Sequence, residues 1–136
     1  MTASGKIEMK FVAGVFLLLL LPGLALAGPL LVMPSEKVTY GVQVVSGDTV
    51  QVSFPLSNNG DGDLTIVKVV PDCGCAAAYF DQVIAPGGRG RIDLVIDTAG
   101  LSGRIRKRAM VRTNDPQKKG FMIEAELDVI PANSGT

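Results

Sequence analysis

Histidine and tryptophan are both missing from the 136-residue sequence, and cysteine occurs only twice. Without imidazole the chain lacks the side chain most often used near neutral pH as general base, proton shuttle or metal ligand, so catalytic readings start with few candidates. Aromatic mass is small as well, five Phe and two Tyr. A core must then be packed from Val, Ile and Leu, each worth about 1.5–3 kcal/mol when fully buried. Charge of one sign is not in excess either: Lys plus Arg and Asp plus Glu number 13 each. No global field draws the chain to nucleic acid or anionic lipid.

The N-terminus carries what the rest lacks, a long apolar run. Lys6 and Lys10 form a positive region, Phe11 to Leu21 is apolar, and Pro22-Gly23 breaks the run. Ala25-Leu26-Ala27 places small residues three and one before a cleavage point ahead of Gly28, so residues 1–27 read as a signal peptide. A membrane-spanning helix needs roughly 20 apolar residues, more than precede Pro22, so retention as an anchor is the weaker alternative. No Cys follows the cleavage point to carry a lipid. The expected destination is periplasmic or extracellular, where thiols meet an oxidising environment. About 109 residues then remain, the size of one small domain. Loss of Lys6, Glu8 and Lys10 leaves 11 basic and 12 acidic residues.

The remainder divides into a lead-in at 28–35 with two prolines and no period, a β-domain at 36–131, and a tail at 132–136. Val50, Val52, Phe54 and Leu56 alternate with polar residues, which marks a strand with one buried face. Pro55 on the opposite face cannot donate a ladder bond, so an edge or a bulge is expected there. After the turn cluster Asn58 to Asp63, Leu64 to Val70 reads as a second strand. Ile92, Leu94 and Ile96 define another beyond Pro86-Gly87-Gly88, and Ile105, Ala109 and Val111 another from Arg104 to Thr113. Phe121 to Ile130 supplies the last and Glu36 to Val45 the first. About six or seven short strands without helical period describe an all-β, antiparallel β-sandwich. Phe54, Ile66, Leu94 and Val111 are the positions where truncation should cost most.

Cys73-Gly74-Cys75 follows the second strand directly. Three readings stay open. The pair forms a disulfide across a turn that Gly74 permits, a bond that closes a very small loop and is correspondingly labile. Alternatively the two thiolates bind a soft metal such as Cu(I) or do redox work, with Met33, Met110 and Met122 as the other sulfur ligands after the leader. The third reading is an inert turn. The disulfide is preferred, and a thioredoxin-type role is disfavoured because that motif has two intervening residues and opens a helix.

Arg104, Arg106, Arg108 and Arg112 share one face of a strand, in a row spaced roughly 7 Å apart. Such a row is either a solvated face that keeps other strands from docking, or a surface for an acidic partner or polysaccharide. Nucleic acid is disfavoured because no aromatics interleave with the arginines. Asp72, Asp81, Asp97 and Asp115 lie in turns, where carboxylates cap or bend the chain, and no base and nucleophile pair up among them to suggest a hydrolase.

Phe54 to Gly60, Asp63-Leu64-Thr65-Ile66, Cys73-Gly74-Cys75, Ile84-Ala85-Pro86-Gly87, Asp97-Thr98-Ala99-Gly100 and Thr113-Asn114-Asp115-Pro116 occur in one order and spacing. Over nearly all of Tyr40 to Val129 this resembles a bacterial family called domain of unknown function 1573. The resemblance implies an exported immunoglobulin-like β-sandwich, related in shape to interaction domains of sperm-protein and ciliary type, usually without assigned activity. The chain departs from the family pattern at Ala76, where Thr is usual, and at Gln117 to Gly120, where a second proline is usual. The missing hydroxyl beside the cysteines weakens a metal or catalytic reading there.

The expected function is a non-enzymatic interaction module binding a protein partner in the cell envelope, without cofactor. It presents no nucleic-acid surface and no membrane span once the leader is removed. A copper-binding or thiol-redox protein using Cys73 and Cys75 is the alternative.

Overall fold

The computed structural model describes residues 28–132. The leader read at 1–27 and residues 133–136 of the tail lie outside them. Ten strands make two sheets: β1 (Leu31–Val32), β2 (Lys37–Thr39), β3 (Val44–Val45), β4 (Thr49–Asn58), β5 (Leu64–Pro71), β6 (Ala76–Phe80), β7 (Val83–Ile84), β8 (Arg89–Asp97), β9 (Gly103–Thr113) and β10 (Gly120–Ile130). One sheet runs β1-β4-β8-β6 and the other β2-β10-β9-β5-β7, with β3 also on β10. The all-β sandwich expected from alternation is the observed architecture. No helix among the described residues is long and apolar enough to cross a membrane.

The period-two residues behave as their spacing requires. Val50, Val52 and Phe54 of β4 stand opposite Ile96, Leu94 and Ile92 of β8, all buried on the inner face. Ala109 and Val111 of β9 and Ile123, Ala125, Leu127 and Val129 of β10 close the core from the other sheet. Phe54 is the one aromatic in this fully buried set.

Four differences from the sequence reading have physical causes. The expected first strand, Glu36 to Val45, is split into β2 and β3, and both run parallel to β10. Thr39 lies opposite Glu126 and Val44 opposite Val129, so this side has two residues more than β10 and loops out around Gly41. The rest of the ladder is antiparallel, as expected. The segment 28–35, read as a lead-in, contributes β1, whose Leu31 is buried in the core. β6 lacked a strand signature because three alanines open it. In β5 the register shifts between Ile66 and Lys68, leaving Val67 exposed.

Pro55 stands at an edge, one of the two situations expected of it. Asn58 N donates to Gly88 O (3.0 Å), and Asp48 O accepts from Thr98 N (3.1 Å), so the even-numbered residues of β4 bond β8. The odd-numbered ones face away, and β1 reaches only Ser57 and Asn58. Pro55 therefore aims its missing donor at the open side, where no ladder bond is lost.

Leu94→Ala is expected to lower unfolding free energy by about 2–5 kcal/mol, and Gln51→Ala on the solvent face by less than about 0.5 kcal/mol. Urea unfolding midpoints of the two variants check this.

Candidate functional site

β5 ends at Pro71, and the chain turns back into β6 through the cysteines. Asp72 N donates to Arg108 O (2.9 Å), and Arg108 N donates to Asp72 Oδ1 (3.3 Å). On the far side, Cys75 O accepts from Asp97 N (2.8 Å). With both flanks pinned, the Cα atoms stand 5.3 Å apart and the sulfurs are bonded. Both cysteines are half-buried. Gly74 does not occupy the left-handed region, and a Cβ there would meet open space. The expected dependence of the turn on glycine is thus not seen, since the flanking anchors shape it. Among the described residues no three His, Cys, Asp or Glu stand close enough together to hold a metal.

The arginine row lies on the outer face of β9 beside an acidic row on β10. Arg104, Arg106 and Arg108 stand opposite Asp128, Glu126 and Glu124, while Arg112 stands opposite Gly120. Arg106 Nε lies 3.1 Å from Glu126 Oε2, and Arg104 Nε and Arg108 Nε lie 3.8 Å and 3.7 Å from Glu126 and Glu124. Lys37 on β2 approaches Glu124 at 3.3 Å and Glu126 at 3.6 Å from the other side. The two glutamates are flanked by cations on both neighbouring strands. Arg112 has no ion-pair partner among the described residues. The hydrogen bond from Arg106 is the main influence holding the Glu126 carboxyl below its ordinary value; Lys37, Arg106 and Arg104 add to it by charge, and burial opposes it. The sequence reading singled out the arginines and missed their partners, although Glu124, Glu126 and Asp128 repeat the same spacing of two.

The four turn carboxylates bond backbone amides. Besides Asp72, Asp81 Oδ2 accepts from Arg91 N (2.9 Å), Asp97 Oδ1 from Ala99 N (3.0 Å), and Asp115 Oδ2 from Leu31 N (2.8 Å). Asn58, fully buried, accepts through Oδ1 from Leu30 N and Gly60 N and donates through Nδ2 to Gly62 O and Ile84 O. Thr98, also buried, donates to Asp48 O (2.6 Å) and accepts from Gly47 N (3.1 Å). Asn114 accepts from Thr65 N and donates to Asp63 O. The recurrent motifs are mostly polar side chains that tie loops to the sandwich, and every buried side-chain N or O atom among the described residues has a partner.

A site with no signature in residue type is the edge at β6. Cys75 O and Asp81 N both bond β8, so the odd-numbered residues of this stretch face β8, and Ala78 and Phe80 direct their backbone groups to the open side, while Ala76 N donates to Cys73 O (3.5 Å). Their side chains point inward yet are only half-buried, whereas Ile92, Leu94 and Ile96 beside them on β8 are fully covered. Tyr79 on the outer face is 62% exposed. β5 carries Pro71 and β4 carries Pro55 at their open sides, and β2 and β3 cover β10. β6 has no proline and no charged residue.

Two sheets of this topology, joined by loops locked through buried amide and carboxylate side chains, make an immunoglobulin-like sandwich. The family described as protein of unknown function, DUF1573, matches residues 31–127, and the chain belongs to it. No curated protein matches the chain. Among solved structures, a protein of unknown function from Porphyromonas gingivalis W83 is similar with TM-score 0.64 and 22% identity, over 80% of this chain and 51% of that one. This chain thus spans about half the length of that relative. PapD-like domain 7 of human CEP192 is similar with TM-score 0.54 and 12% identity, over 82% of this chain and 99% of that one. The Escherichia coli chaperone DraB follows with TM-score 0.51 and 12% identity, over 79% of this chain and 58% of that one. At these identities the likeness is one of fold.

Glu126→Gln should destabilise the protein at neutral pH and lose this effect in acid. Because the folded carboxyl is held below its ordinary value of 4.5, its contribution is fully present above that value and disappears as pH falls through the depressed one. Thermal midpoints of wild type and variant, measured from pH 7 downward at low salt, should converge on acidification.

Proposed function

We propose that this protein is a non-enzymatic interaction module of the cell envelope that binds a protein partner by accepting an extended segment along β6. The observation that carries this reading is the open edge itself: a strand with unpaired backbone groups, no proline or charge to blunt it, and inward side chains left half-covered. Edges of this kind recruit strands, with main-chain hydrogen bonds giving affinity and alternate side chains giving selectivity. An incoming strand with small apolar residues at every second position completes the cover over Ala78 and Phe80. The absence of histidine from the sequence and the engagement of the turn carboxylates by backbone amides fit a binding role better than catalysis. Family membership and the PapD-like likeness are compatible with it. The arginine row takes a supporting part, because three of its members are already paired with glutamates.

A second reading keeps Cys73 and Cys75 as a thiol-redox or copper site. Both cysteines are only half-buried residues at the surface end of β5, which favours it. The bonded pair presents no thiolate, so copper binding would follow reduction.

Ala78→Pro removes an amide directed at solvent while Ala77 and Tyr79 keep the ladder to β8. It should reduce capture of an envelope partner at least tenfold while leaving the thermal midpoint within a few degrees, on the order of an edge-proline effect. The Cys73→Ser, Cys75→Ser double variant should retain the partner. Loss of the partner in the cysteine variant, with Ala78→Pro unaffected, would move the function to the disulfide.

A further inference from the structure

The first described residues are held by backbone and side-chain groups of the Asn58–Gly62 turn and by Asp115. Gly28 N donates to Asp61 Oδ1 (2.5 Å), and Gly28 O accepts from Asp61 N (3.0 Å). Leu30 N donates to Asn58 Oδ1 (3.1 Å), Leu30 O accepts from Asn59 N (2.8 Å), and Leu31 N donates to Asp115 Oδ2 (2.8 Å). The seat is cut to backbone thickness: a Cβ at Gly60 would lie 2.1 Å from Gly28 O and 2.6 Å from Leu30 N. Only glycine at position 60 lets the segment rest directly on the turn.

Asp61 and Asp115 are the charged side chains lining the groove around Gly28. Asp115 is buried and engaged by the amides of Leu31 and Gln117. Asp61 differs from it: among the described residues its carboxylate accepts from Gly28 N alone and has no cation in reach. The nitrogen it holds is the one that removal of a leader ending at Ala27 would free. Hydrolysis of that peptide bond consumes one water, leaves a carboxylate on Ala27, and converts the Gly28 amide into a primary amine that is protonated at neutral pH.

We infer that Asp61 is the receptor for the α-ammonium of Gly28, so that leader removal creates an ion pair locking the new N-terminus onto the Asn58–Gly62 turn. The inference rests on the cleavage point read from Ala25-Leu26-Ala27. Before cleavage the nitrogen offers one hydrogen and no charge. Afterwards it offers three and a unit charge, and charge-assisted hydrogen bonds are about twice as strong as neutral ones. The pair is exposed to solvent, so its effect is modest and concentrated on docking of β1. Docking of Leu31 into the core then depends on processing.

The test compares the processed chain starting at Gly28 with the same chain carrying Ser-Ala-Ser ahead of Gly28, each with Asp61 and with Asp61→Asn. The α-amine of the Gly28 form, followed by NMR of 15N-glycine, should titrate above its ordinary range of about 7.7–8.0, and return to it in Asp61→Asn. Because the folded amine is shifted upward, the stabilisation is complete below the ordinary range and vanishes as pH rises through the shifted one. The thermal midpoint of the Gly28 form should exceed that of the extended form by on the order of 1–4 °C at pH 7, with no difference in Asp61→Asn. Gly60→Ala, which fills the seat but keeps Asp61, should also return the amine to its ordinary range. An α-amine that titrates ordinarily beside an intact Asp61, or an equal midpoint difference in Asp61→Asn, overturns the inference and leaves the export reading standing. An exported protein whose first residue on N-terminal sequencing is not Gly28 overturns both.

Discussion

Register is the constraint on which this sandwich depends. Its interior is made of Val, Ile, Leu and Ala with a single fully buried aromatic, so neighbouring rows differ little in shape and could fit one another in more than one alignment. A slip by one residue would turn every inward side chain of a strand to solvent. Polar locks at the ends of the strands remove that freedom. Asn58 ties the end of β4 to residues 30, 60, 62 and 84, and Thr98, just past β8, ties the return to 47 and 48. Buried and fully satisfied, these side chains have one arrangement in which all their bonds are made, and that arrangement fixes the alignment of the aliphatic rows between them.

The outer surface divides the same problem differently between the two sheets. On the β9–β10 face the alignment is marked by charge: each arginine from 104 to 108 has an acidic residue opposite, and a one-residue slip would set arginines against Ala125 and Leu127 instead of the carboxylates. On the other sheet, β4 is shielded by Pro55 and β6 is not. Shielded and open edges thus lie on different strands. The face that looks most charged in sequence is largely neutralised, and the plainest strand is the one left open.

What could be read in advance followed from alternation. β4, β8, β9 and β10 were legible because Val, Ile and Leu recur every second residue on one side of each. Alternation says nothing of direction, so the parallel pairing of β2 and β3 with β10 was hidden, as was the loop that divides them. It also fails where side chains are small, which concealed β6. The cysteine pair was visible as a motif and is bonded as preferred, but the anchoring by Asp72 and Asp97 that shapes its turn comes from residues paired across strands. Likewise the arginine row was visible and its neutralisation was not, because a partner on the adjacent strand lies about 20 positions away in sequence. The edge at β6 has no chemical label at all. An unpaired backbone is a property of topology, and it emerges only once the neighbours are known.

The parallel pairing of β2 and β3 with β10 brings the first and last parts of the domain side by side. Eighty-odd residues separate Val38 from Ala125, so this contact has one of the longest closures the domain can have. A chain delivered from its N-terminus must hold β2 and β3 unpaired until β10 arrives. Completion of that sheet is a late event, and it waits for the whole domain to be synthesised.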